Sequence, residues 1–157
     1  MKAARGFTLI ELMITVSIVG VLVSLAIPVK EIVVKREQER ELRAALREIR
    51  GALDAYKHAV DEGKVKASAG DSGYPKSLDE LAGGTDNIST PDRQKIFFLR
   101  RLPRDPLHPD PAIPPAQTWG KRSYASAPDE PREGADVFDV HSLAGGRGMN
   151  GVAYREW

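Results

Sequence analysis

Apolar and polar positions divide the chain into unlike stretches. From Phe7 to Val29 (FTLIELMITVSIVGVLVSLAIPV) a single ionisable side chain, Glu11, interrupts 23 otherwise uncharged residues. As a helix this run is roughly 35 Å long, close to the thickness of a bilayer core of about 30 Å. Residues 35–41 (KREQERE) are then all polar. A stripe follows at Leu42, Leu46, Ile49, Leu53, Tyr56 and Val60, with spacings of 4, 3, 4, 3 and 4 that set all six on one helical face. Arg43, Arg47, Arg50 and Lys57 fall off that face. The pattern predicts one helix from Phe7 to about Val60, ending near Gly63. Its polar section forms a neck, whose charges are either a solvated face or pair between copies. The stripe is shorter than three heptads, so a sheet lying on it is expected rather than a coiled coil.

Periodicity weakens beyond the helix. Residues 63–74 (GKVKASAGDSGY) read as a loop. Ser77-Leu78-Asp79-Glu80 is a capping-box pattern that opens a short helix through Leu81, with Gly83-Gly84 as its stop. The densest apolar cluster after the first helix is 96–102 (IFFLRRL), leading into PRDPLHPDPAIPP, whose prolines exclude regular structure and favour an extended, stiffened loop. Arg122 to Ser126 alternates weakly. Val137 to Ser142 alternates well, with Val137, Asp139 and His141 opposite Phe138 and Val140, and Val152 to Trp157 offers a last strand. The expected fold class is α+β: a long N-terminal helix packed against a C-terminal antiparallel sheet of about three strands. The expected divisions are 1–6, 7–29, 30–62, 63–121 (loop, short helix and proline-rich segment) and 122–157 (sheet).

Composition removes several functions. The 157 residues carry a net charge of +1, which lacks the basic excess of a nucleic-acid binder. With no cysteine, disulfides, thiol catalysis and cysteine-ligated metals are excluded. Ser24-Leu25-Ala26 has the spacing of a signal-peptide cleavage site, but the apolar run exceeds a typical signal core of about 7–15 residues. A plain single-pass anchor leaves Glu11 unexplained, because ionisable groups in membranes are costly and mostly functional. Charge alone leaves the topology open: Lys2 and Arg5 favour a cytoplasmic N-terminus, while Lys30, Lys35, Arg36 and Arg40 crowd the other side.

Lys2, Arg5, Gly6, Phe7 and then Thr8-Leu9-Ile10-Glu11-Leu12 resemble the leader and processing site of type IV pilins and type II secretion pseudopilins. Tyr74-Pro75 with Leu78 and Leu81, and more loosely Asp105-Pro106, Trp119-Gly120 and Phe138-Asp139-Val140, resemble the major (G-type) pseudopilin. The resemblance implies a pilin-like fold and cleavage between Gly6 and Phe7 by a prepilin peptidase that also N-methylates Phe7. Such cleavage leaves a cationic amine at a helix N-terminus, already the positive end of the macrodipole. Glu11 is the one counter-charge in the span. It lies about one turn from Phe7, within reach of its own chain; the resemblance implies that it engages the N-terminus of the neighbouring subunit, and on that basis Glu11 is expected to set axial register. Gly20 weakens a helix, and Pro28 cannot donate to the Ser24 carbonyl. In filaments of related pilins the matching stretch is unwound.

One departure concerns calcium, which family members bind through aspartates in the last loop. Here that loop, 142–151 (SLAGGRGMNG), has no carboxylate. Asp136, Asp139 and Asn150 are the nearest ligands and make a poor site for an ion that wants six to eight oxygens. No cofactor is expected, calcium binding is expected to be weak or absent, and the loop is then held by turn chemistry or by partners. Enzyme signals are weak. Gly70-Asp71-Ser72-Gly73 matches a serine-protease string, with only His58, His108 and His141 to assist it. Gly145-Gly146-Arg147-Gly148 lacks the Lys-Ser/Thr of a phosphate loop. Asn87-Ile88-Ser89 is a glycosylation sequon by pattern only.

The resemblance therefore implies a non-enzymatic pseudopilus subunit of a type II secretion system. It would sit in the inner membrane with its N-terminus cytoplasmic and its C-terminal domain periplasmic. Its expected partners are copies of itself, minor pseudopilins, the prepilin peptidase/N-methyltransferase, the inner-membrane assembly platform and, before assembly, lipid; no nucleic acid is expected. The alternatives are a type IV pilus subunit, which often carries a C-terminal disulfide, and a DNA-uptake pseudopilin.

Overall fold

The structure is a computed structural model that describes residues 6–68 and 70–157, and of residues 25–29 only the backbone. Lys2 and Arg5 lie outside the described residues, as does the side chain of Pro28. The elements are helices α1 (Leu9–Asp61) and α2 (Asp79–Gly83) and strands β1 (Thr85–Asp86), β2 (Lys95–Ile96), β3 (Trp119–Arg122) and β4 (Asp139–Ser142). Short 3-10 turns sit at Pro115–Gln117 and Tyr154–Glu156. The architecture is α+β and pilin-like, a long N-terminal helix with small antiparallel sheets. By contacts the chain divides into two units, residues 1–37 and 38–157.

In the first unit every described side chain from Phe7 to Ser24 is exposed, Leu9 by 77% and Val23 by 56%. The helix runs without a break through Gly20 and Pro28. Among the described residues no helix is long and apolar enough to cross a membrane; the described side chains of the apolar run stop at Ser24.

In the second unit the stripe is the core. Leu42, Leu46, Ile49, Leu53 and Tyr56 are buried, Val60 partly so, and Ala45, Ala52 and Ala59 fill the space between them. Val65, Leu78, Leu81, Leu99, Trp119, Val137, Val140 and Tyr154 complete the cluster. The helix stops at Gly63, whose φ of +71° suits a residue without a Cβ. The amides of Lys64 and Val65 both donate to the Ala59 carbonyl, which turns the chain back.

The rest of the unit departs from the sequence pattern in instructive ways. α2 forms, but Leu78 occupies its N-cap and no side chain caps it; the Glu80 carboxylate accepts from the Tyr56 hydroxyl instead, at 3.2 Å. β1 and β2, too short to show alternation, pair Thr85 with Ile96. The expected 122–126 strand lies earlier, at β3, because the Asp136 carboxylate takes the Ser123 hydroxyl and the Tyr124 amide, each at 2.8 Å, and ends the ladder. Val137 and Val140 are both buried although alternation puts them on opposite faces. Val137 donates to the Pro75 carbonyl, and the ladder with β3 begins only at Asp139. Residues 152–157 supply one isolated bridge, Arg147 to Ala153, and then a 3-10 turn, not a third strand.

The proline-rich segment is folded rather than extended. Arg104 gathers the carbonyls of Asp110, Pro111 and Ile113. Buried Asp105 accepts from the Ser142 hydroxyl at 2.5 Å and the Leu107 amide at 2.8 Å, while its own amide donates to Thr118. The Trp119 indole donates to the Pro103 carbonyl at 2.9 Å. These contacts fix the segment to β3 and β4, and they place the last strand and the C-terminal loop.

Candidate functional site

The N-terminal motif is open to a protein partner. Gly6 and Phe7 precede α1, both are exposed, and a Cβ at Gly6 would meet nothing within 4 Å. Thr8 and Glu11 form a reciprocal capping box: the Thr8 amide and hydroxyl donate to Glu11 Oε2 at 3.0 and 2.8 Å, and the Glu11 amide donates to Thr8 Oγ1 at 3.3 Å. This satisfies orphan donors at the helix start and explains why the helix begins at Leu9. As a lone charge, Glu11 is expected to pair with a terminal amine, whereas here Thr8 holds it. The missed signal is the T-x-x-E spacing itself. A Cβ at Gly20 would likewise meet nothing.

At the other end of the chain, α1 reaches the C-terminal loop through three side chains. Glu39, in the polar neck, is 4% exposed. Its Oε1 accepts from the Met149 amide at 2.8 Å and the Tyr154 hydroxyl at 3.1 Å. Burial, and then the Glu39 carboxylate, push the Tyr154 phenol up, so it stays a donor. Arg50 donates through Nε to Asp139 at 2.7 Å and through Nη2 to the carbonyls of Val140 at 3.1 Å and Trp157 at 2.7 Å. Arg43 lies 4.3 Å over the Trp157 ring, which meets Tyr154 edge-on. A Cβ at Gly148 would strike that ring at 2.2 Å, so the loop closes only around glycine there. The spacing did hold a signal for Glu39, which extends the core stripe backward by one turn, as 39, 42, 46 and 49.

The weak calcium candidates do not form a site. Burial raises the Asp136 carboxyl, but bonds from Ser72, the Tyr124 amide and Ser123 outweigh it and hold the group below its usual range. Asp139 is shared by Arg50 and by Arg122 at 3.5 Å. Asn150 Oδ1 accepts from the Val152 amide at 3.1 Å. Each of the three side chains already accepts from protein donors. Among the described residues no three Asp, Glu or His side chains are grouped to hold a metal, and the residues present do not fit calcium.

Ser72 bonds to Asp136 and accepts from the Tyr74 amide. Of the histidines, His58 pairs with Glu62 and His108 accepts from the Asp110 amide. His141 lies across the ladder against Gly120, where a Cβ would sit 2.3 Å from its Nε2. The Gly145–Gly148 string is a turn, with Gly146 at φ +102° and its carbonyl accepting from the Tyr154 amide.

Comparison with known proteins agrees with this geometry. Residues 1–27 match the family described as "Prokaryotic N-terminal methylation motif". The chain is 28% identical to "Type II secretion system core protein G" of Klebsiella pneumoniae, over 87% of this chain and 93% of that protein. It is 36% identical to a "Fimbrial protein" of Pseudomonas aeruginosa, over 60% of this chain and 64% of that one, so it spans less than two thirds of that relative. It is also 36% identical to the "Type IV major alpha-pilin" of Moraxella bovis, over 48% of this chain and 46% of that one. No solved structure matches. Its motif, its fold and these similarities liken the chain to the type IV pilin-like proteins, and to G-type pseudopilins along most of its length.

Proposed function

We propose that this chain is a structural subunit, not a catalyst, of a type II secretion pseudopilus. The observation that carries the reading is the first part of α1, from Leu9 to Val23, which keeps its large apolar side chains exposed. At about 25 cal/mol per Å2 of apolar surface, such a segment in water is strongly driven to lipid or to other copies of itself. The monomer rests in the inner membrane, N-terminus cytoplasmic and small domain periplasmic. A prepilin peptidase cuts between the exposed Gly6 and Phe7 and methylates Phe7. Glu11 then exchanges its local contact with Thr8 for the exposed amine of a neighbour, which sets register as helices enter the filament. Gly20 and Pro28 allow the helix to loosen there. Minor pseudopilins and an inner-membrane platform are the remaining partners, and filament growth moves exported proteins across the outer membrane.

A type IV pilus subunit is the second reading. It is favoured by the higher identity to the Pseudomonas protein, but over a shorter stretch. Glu11→Gln tests the assembly step: the variant should insert in membranes at the wild-type level and yield few or no filaments by electron microscopy. Normal filament yield from that variant refutes the register role. Deleting the chain separates the two readings, because a pseudopilus subunit leaves exported proteins trapped in the periplasm and a pilus subunit does not.

A further inference from the structure

We propose that Glu39 is the anchor of the C-terminal loop in this chain, and that it holds residues 146–154 on α1 without a divalent cation. A loop of this kind, with four glycines and no carboxylate in residues 142–151, has little of its own to fix it. Turn bonds close it internally: the Gly148 amide donates to the Val152 carbonyl, and Arg147 donates to the Gly151 carbonyl at 2.9 Å. Those bonds shape the loop but do not attach it to the helix. Arg50 and Arg43 hold Trp157, beyond the loop, while the tip and exit of the loop itself meet α1 at one buried carboxylate oxygen. Glu39 Oε1 takes the Met149 amide from the loop's tip and the Tyr154 hydroxyl from its exit. Both donors lie more than a hundred residues away along the chain, so the pair closes a very long loop.

The chemistry matches what a bound cation does elsewhere by the opposite route. A cation gathers oxygens from a loop; here an oxygen from the helix gathers hydrogen-bond donors. The two solutions exclude each other at this place. Asp136, Asp139 and Asn150 already accept from protein donors, and a cation at the loop would have to strip those bonds from ligands too few to complete its shell. An ionised acceptor with two donors is also a stronger tether than neutral bonds, and a buried donor left without it is costly. Seating the loop in turn sets Tyr154, and with it Trp157 beneath Arg43.

Glu39 is thus a positioning residue, and amide exchange of residues 144–154 in the full-length, detergent-solubilised protein reads its effect locally. Wild-type exchange should stay within about twofold in millimolar calcium chloride and in EDTA. Glu39→Ala should speed exchange of that segment at least tenfold. Glu39→Gln, which keeps an acceptor oxygen but loses the charge, should recover part of the protection. Residues 42–56 of α1 should exchange as in wild type in both. If Glu39→Ala does not fold, Tyr154→Phe, which removes one of the two donors, should still speed the segment severalfold. A wild-type loop that opens in EDTA or tightens with calcium overturns the proposal. So does a loop indifferent to Glu39→Gln and Tyr154→Phe.

Discussion

Replacing Arg50 with Met removes one guanidinium and leaves most of the apolar stem in place. Three hydrogen bonds go with it: Nε to Asp139, and Nη2 to the carbonyls of Val140 and Trp157. The ion pair is part-exposed, 38% for the Arg50 side chain and 28% for Asp139, so solvent screening limits its share to about 0.5 kcal/mol. Asp139 also keeps Arg122 at 3.5 Å, which spares the larger penalty of an orphaned buried charge. The two carbonyl bonds contribute about 0.5–1 kcal/mol each once exchanged against water. The sum is about 2 kcal/mol, roughly 30-fold in the folding equilibrium. Urea unfolding of the solubilised chain, followed by tryptophan fluorescence, reads it directly, since Trp119 and Trp157 both sit in this unit. The midpoint should fall by about 1 M with an unchanged slope. Most of the difference should survive added salt, because carbonyl bonds, not the screened pair, carry it. A midpoint within about 0.2 M of wild type refutes the claim that Arg50 ties α1 to the end of the chain, and a difference abolished by salt refutes its apportioning.

Two more perturbations test the core and the ladder. Ile49→Ala empties a fully buried position in the middle of the stripe and should cost about 2–5 kcal/mol, read as a lowered melting temperature; a loss under 1 kcal/mol contradicts the packing. Burial holds the His141 imidazole below its usual 6.5, with Arg50 adding to the effect and Asp139 opposing it. The unfolded chain therefore binds the proton more tightly than the folded one. Stability present above about pH 6.5 should be lost as the pH falls below it. His141→Gln should flatten that part of the urea-midpoint profile, and an equal slope in wild type and variant refutes the assignment.

What the sequence makes legible follows from how far apart the determinants lie. The helix and its buried face are written in local spacing, and Leu42 to Tyr56 are buried as their periodicity demands. The Gly6–Phe7 step and Glu11 are legible as a contiguous motif. The strands are not, because their limits depend on long-range capture. Asp136 ends β3 thirteen residues away from Ser123, and the Pro75 carbonyl takes the Val137 amide before the ladder starts. Arg50 escapes for the same reason, and Glu39, although its spacing continues the stripe, is obscured by its charge. A charged residue beside an apolar stripe reads as solvent-facing until its partners, 89 to 115 residues distant, are known. Thr8 is a different case, since its capping spacing with Glu11 is local and readable, and the carboxylate's prominence as a lone charge in apolar surroundings draws attention from it.

The central claim is that the exposed helix belongs to a processed subunit that polymerises through it. The most direct measurement is the intact mass and N-terminal peptide of the chain recovered from isolated filaments. The account predicts a chain beginning at Phe7 with one methyl group on its α-amine. Filaments built from chains that still carry residues 1–6 would contradict it.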